Sequence, residues 1–134
     1  MISHKSQKPF IMLPATDKAQ VEKVVRAFAE KLLEQLGGQI YDVIWYGSTA
    51  RGDGEEDSDI DVAVICQNDD IKTEEFIWNI AADLGLDYDA FLDVRVISRE
   101  RFYGEWGELS YLAEDIRNEG IPIWTKNEQA TATN

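Results

Sequence analysis

Histidine and cysteine each occur once in this 134-residue sequence, as His4 and Cys66. A lone cysteine excludes a disulfide framework and a multi-cysteine zinc site, and it fits a reducing compartment. A lone histidine, four residues into the chain, excludes a histidine-rich metal centre. It also excludes a histidine-based catalytic triad, unless that triad draws on the terminus. No apolar run approaches the ~18 residues of a membrane span, and Met1–Thr16 lacks the continuous apolar stretch of a signal peptide. The expectation is a cytoplasmic protein without membrane association. Basic residues are also scarce: 13 stand against 26 acidic ones, for a net charge of −13. The imbalance is local. Between Ile40 and Asp93 there are 15 carboxylates against Arg51 and Lys72 alone. Such a chain does not coat nucleic acid or anionic lipid by its own field. Cations, a basic partner or simple solubility remain.

What is present suffices for one folded domain. The length, a hydrophobic fraction of 44% and four tryptophans exclude a disordered acidic tail. Residues 1–14, with Pro9 and Pro14, read as a flexible arm, residues 15–125 as the domain, and residues 126–134 as a polar tail. Val21, Val24, Val25, Phe28, Leu32 and Leu36 recur at helical spacing, with Thr16 or Asp17 as cap and Gly37-Gly38 as stop. Ile40–Tyr46, Asp59–Ile65 and Phe91–Ile97 are dense in β-branched and aromatic residues and read as strands. Residues 47–54, rich in glycine, read as a turn. Between the second and third strands, Phe76, Ile77, Ile80, Ala81 and Leu84 form a helical face that Gly85 ends. After Ser98, a possible N-cap, a broken helical region presents Leu109, Leu112, Ala113 and Ile116 and stops at Gly120. Ile121–Trp124 is short and extended, and Pro122 restricts it to a sheet edge. The order predicts an α/β (α+β) domain, a small mixed sheet with helices mainly on one face.

Three features carry chemistry. A strand ending in Gly47-Ser48 can bring backbone N–H groups and a hydroxyl against phosphate oxygens, although such a pair can equally be only a turn. Asp59 and Asp61 are two residues apart in a strand, so both point to one face while Ile60, Val62 and Val64 point to the other. Two carboxylates about 4 Å apart repel by about 4 kcal/mol at an effective dielectric near 20. They need water or a hard cation such as Mg²⁺. Asp93 lies inside an apolar strand, where a carboxylate is costly unless it is paired or ligated. It could complete a metal site with Asp59 and Asp61, or pair with Arg95 on its own strand.

The order of these features, and the run GSTARGDGEEDSDIDVAV in particular, resembles the nucleotidyltransferase superfamily of DNA polymerase β type. Its minimal single-domain members carry GS-x10-D-x-D. Arg51-Gly52 and Ser58 match the common form of that motif as well, and the resemblance spans about residues 15–124. It implies a nucleotidyltransferase fold, ATP as substrate and two Mg²⁺ ions held by Asp59, Asp61 and Asp93. It implies phosphate contacts from Gly47 and Ser48, and catalysis through Asp59, Asp61 and Asp93, the last assisting deprotonation of an acceptor hydroxyl. Arg51 could bind the nucleotide or neutralise part of the acidic run Asp53–Asp57.

Within the resemblance, stand-alone domains of this size are typically antitoxins that transfer AMP to a tyrosine of a HEPN RNase toxin. The expected partner is therefore a HEPN-type toxin protein. The alternatives are a small-molecule nucleotidyltransferase working as a homodimer, and an antitoxin that acts by binding alone. The aromatics Phe102, Tyr103, Trp106, Tyr111 and Trp124 offer a docking surface or, as readily, a core beneath the last helix. Trp78 is ambiguous in the same way.

Overall fold

A computed structural model describes residues 17–126. The expected arm with His4, and the expected tail apart from Lys126, lie outside the described residues. The first helix, α1 (Lys18–Leu36), is capped by Asp17, whose carboxylate accepts from the Gln20 N–H at 3.2 Å. Val21, Val24, Val25, Phe28 and Leu32 of α1 are fully buried. The chain leaves α1 through Gly37 at φ +49, a conformation that suits glycine, and a single 3-10 turn delivers it into strand β1 (Ile40–Tyr46). A short helix α2 (Gly47–Arg51) and a loop lead to β2 (Ile60–Cys66). Helix α3 (Ile71–Tyr88) then crosses to β3 (Leu92–Ser98). Three short helices, α4 (Arg99–Phe102), α5 (Glu105–Leu109) and α6 (Tyr111–Glu119), precede β4 (Ile121–Thr125).

The strands form one mixed sheet in the order β3-β2-β1-β4. β1 is antiparallel to β2 and β4, while β2 and β3 are parallel, as a helical crossover requires. Side-chain alternation sorts the interior into two layers. Val62 and Val64 pack with α1 and α3, and Ala63 and Ile65 pack with Phe102, Ala113 and Ile116 of α4 and α6. The two long helices thus share one face, as expected, and the three short ones partly cover the other. Pro122 sits on the edge strand β4, where its missing N–H is tolerated. Among the described residues no helix is long and apolar enough to cross a membrane.

Three local expectations change. Residues 47–51 are helical rather than a plain turn, and Gly52 at φ +91 closes that helix. Gly85 does not stop α3. It is buried where a Cβ would strike the Ala90 carbonyl, and the helix runs on until Asp89 takes the left-handed conformation at φ +52. Phe76 and Leu109 do not face the core but are exposed.

Candidate active site

Strand directions decide what meets at one end of the sheet. Because β1 and β2 are antiparallel, the last residue of β1, Tyr46, lies opposite Asp61 near the start of β2. Because β2 and β3 are parallel, Asp61 in turn lies opposite Asp93. Adjacent strands run about 4.8 Å apart, so these two carboxylates stand side by side on one face. That face is the one bearing Ala63, Ile65 and Ile97, covered by the short helices. Asp59 falls one residue before β2 begins, and the Ile60 N–H bonds to the Phe91 carbonyl at 2.9 Å, tying the two strand starts together.

The electrostatics follow from this crowding. Burial raises the Asp61 carboxyl to about 6, and the neighbouring Asp93 and Asp59 push in the same direction. Arg95 and Arg51 oppose the shift without cancelling it. Tyr46 is lifted to about 12 by burial, then by Asp61, while Arg95 opposes and hydrogen-bonds it. Among the described residues, no ion pair joins Asp93 to Arg95. The arginine is directed across the strands rather than along its own. Arg95 and Arg51 therefore compensate Asp61 only in part. Among the described residues, no three histidine, cysteine or carboxylate side chains are grouped closely enough to hold a metal ion by themselves. This donor set suits Mg²⁺, which takes one or two carboxylates and completes its shell with water and phosphate oxygens.

Gly47 sits directly against this cluster. Its φ is +80, and a Cβ there would collide with the Asp61 carboxylate, so glycine is required twice over. Ser48 follows in the first turn of α2, and its carbonyl accepts from the Gly52 and Asp53 N–H groups at 3.0 and 3.1 Å. The short helix is braced from both sides. Beneath it, the Trp45 indole N–H donates to the buried Thr49 hydroxyl at 2.9 Å. Outside it, Arg51 reaches Glu119 of α6 at 2.8 Å and Asp53 at 3.3 Å. Ser58 shapes the acidic loop by accepting from the Glu55 N–H at 2.7 Å. Trp45, Thr49, Tyr46 and Glu119 were not singled out by sequence, and Arg95 was weighed only as a partner for Asp93. Only Tyr46 carried a usable signal, its place one residue before Gly47 at the end of the strand.

The aromatic candidates do not form one surface. Phe102 is buried, Trp106 is half-buried beneath the Arg101 guanidinium at 4.8 Å, and Trp124 is half-buried against the core. Tyr103 donates to Asp42 at 3.2 Å, and Tyr111 is 84% exposed. Trp78 is exposed on α3, with its indole N–H bonded to the Val94 carbonyl at 3.0 Å.

The family model described as a nucleotidyltransferase domain matches residues 23–123. Two Methanocaldococcus jannaschii proteins, each provisionally named a protein adenylyltransferase, are similar to this chain. One is 32% identical over 81 residues, covering 60% of this chain and 77% of its own length. The other is 30% identical over 105 residues, covering 78% of this chain and 99% of its own. A solved toxin–antitoxin structure with AMP-PNP shares the fold. It superposes with a TM-score of 0.53 at 21% identity, over 80% of this chain and 78% of that one.

Proposed function

The chain belongs to the nucleotidyltransferase domain family and is an enzyme of that class, and from this premise we propose that it transfers AMP from ATP to a tyrosine hydroxyl of a HEPN-type toxin, as the antitoxin of the pair. One observation carries the catalytic half. Asp61 and Asp93 are paired across parallel strands against the side-chain-free Gly47, and Arg95 and Arg51 offset the charge at Asp61 only in part. A protein as acceptor is supported by the provisional names of the two M. jannaschii relatives, and a toxin as that protein by the motif's likeness to antitoxins of this size. That a structure sharing the fold is a toxin–antitoxin complex agrees with it.

In this reading, Gly47 and Ser48 hold the triphosphate through backbone N–H and hydroxyl groups. Arg51, already engaged by Asp53 and Glu119, braces the helix that carries them. Asp59, Asp61 and Asp93 are the residues that would hold Mg²⁺, which when bound neutralises triphosphate charge. Asp93, on the outermost strand, assists removal of the proton from the acceptor hydroxyl. A bond forms between the hydroxyl oxygen and the α-phosphorus, the bond to the β-phosphate oxygen breaks, and pyrophosphate leaves. Positioning and charge neutralisation supply most of the acceleration.

The test combines the purified chain, ATP labelled in its α-phosphate, Mg²⁺ and the candidate toxin. AMP on a toxin tyrosine, seen by mass spectrometry, is expected with wild type and absent with Asp59→Asn or Asp61→Asn. Label transferred unchanged by both variants would remove the carboxylates from the mechanism. Label on a small molecule would replace the protein acceptor.

A further inference from the structure

β3 is the outermost strand on one side of the sheet, and two backbone groups of its outer edge are already taken. The Trp78 indole caps the Val94 carbonyl, and the Asp69 carboxylate accepts the Ser98 N–H at 3.0 Å while pairing with Arg101 at 2.9 Å. Capping of this kind blocks edge-to-edge strand addition. What the edge offers a partner is therefore chiefly side chains.

Those side chains form a stripe. Helix α3 buries Ile77, Ala81 and Leu84 against the sheet. A second row, Ile71, Trp78, Ala82 and Leu86, recurs at helical spacing on the flank turned to β3. Ile71 is 68% exposed, Trp78 45% and Leu86 67%, and Phe91 at 64% continues the row at the start of β3. Trp78, Ala82, Leu86 and Phe91 line one cavity, and Asp93 lines it too. Four exposed large apolar side chains in one row offer a partner an apolar ridge to cover.

Charge selects the occupant. Glu74, Asp89 and Asp93 line the cavity with Arg95 and Arg101, but Arg101 is already paired with Asp69 and Arg95 is hydrogen-bonded to Tyr46. Outside the cavity, α3 and its N-cap add Asp70, Glu75, Asp83 and Asp87 against Lys72 alone. A second copy of this chain would bring the same acids face to face, and a nucleic acid would be repelled outright.

We propose that the groove between α3 and the β3 edge docks an amphipathic helix of the acceptor protein, its apolar ridge on Trp78, Leu86 and Phe91 and its lysines or arginines facing the acids of α3. The mode is a helix laid in a groove. This surface rests on the protein-modifying reading above, because it would hold the acceptor beside Asp93.

The test uses the full chain and two fluorescein-labelled amphipathic helices with the same leucine stripe, one flanked by lysines and the other by glutamates. The lysine-flanked helix should bind by fluorescence anisotropy, and the glutamate-flanked one should not. The double variant Leu86→Gln with Phe91→Gln, which leaves the net charge unchanged, should weaken binding about tenfold or more while Mg·ATP binding stays as in wild type. Equal affinity for wild type and variant, no binding of the lysine-flanked helix, or a wild-type dimer that the variant converts to monomer would overturn the surface. If wild type binds the lysine-flanked helix through these residues yet fails to bind Mg·ATP, the surface stands and the transferase reading falls.

Discussion

Asp61 is where the cost of this site is concentrated. Its carboxyl is raised to about 6 by burial and then by Asp93 and Asp59, so the folded chain keeps a proton that the unfolded chain releases near 3.8. The stabilisation from that proton is complete below about pH 3.8 and is lost as pH rises through about 6. At neutral pH the ion-free protein therefore carries a repulsive, partly buried carboxylate. Asp61→Asn removes the titration. In urea melts without divalent ions, the variant should be more stable than wild type by about 1 kcal/mol at pH 7, a figure reduced for solvent screening. The advantage should shrink towards zero near pH 4. A variant less stable than wild type at pH 7 would mean that Asp61 is compensated in the folded chain. The same residue should make Mg²⁺ binding weaken below about pH 6, since only the ionised carboxylate ligates.

At the scale of elements, α2 shows why part of the site was hidden in the sequence. The three strands of the site were legible to within one residue, because runs such as Ile40–Tyr46 are dense in β-branched and aromatic residues. The meeting of Asp61 with Asp93 was legible too, from the period of two and an assumed neighbouring strand. The helical state of Gly47–Arg51 was not legible, because its causes are tertiary: the Trp45–Thr49 bond beneath it and the Arg51–Glu119 pair, 68 residues apart. Local propensity there, with glycine and threonine, favours a turn. The reach of Arg95 was hidden for a similar reason, as it acts on Tyr46 and Asp61 across strands that no local pattern connects. If the Trp45–Thr49 bond holds α2, Thr49→Val should leave a buried indole N–H without an acceptor and cost about 1–3 kcal/mol. Thr49→Ser should restore the bond and most of the stability. Transfer should fall with Thr49→Val, since Gly47 and Ser48 ride on the same short helix. Unchanged denaturation midpoints for Thr49→Val would show that other contacts seat it.

For the whole molecule, the open question is what the −13 net charge serves, since only three of the 15 carboxylates between Ile40 and Asp93 have a place in the proposed site. General self-repulsion and specific ion binding predict different responses to salt. Screening acts on all exposed charges over a Debye length of about 10 Å at 0.1 M, so NaCl alone should raise the melting temperature modestly. A site formed by Asp59, Asp61 and Asp93 adds a binding contribution of RT ln(1 + [L]/Kd), about 1.4 kcal/mol at ten times the dissociation constant. MgCl₂ should therefore raise the melting temperature beyond NaCl of matched ionic strength. Asp59→Asn and Asp61→Asn should abolish that excess while keeping the ordinary salt response. Replacing Glu74, Glu75 and Asp83 with glutamine should do the opposite, reducing the salt response and leaving the Mg²⁺ excess intact. An excess that survives in Asp61→Asn would place the ion elsewhere on the acidic surface. No excess in wild type would leave the carboxylates without an ion until nucleotide arrives, so the same melts should then be repeated with ATP present.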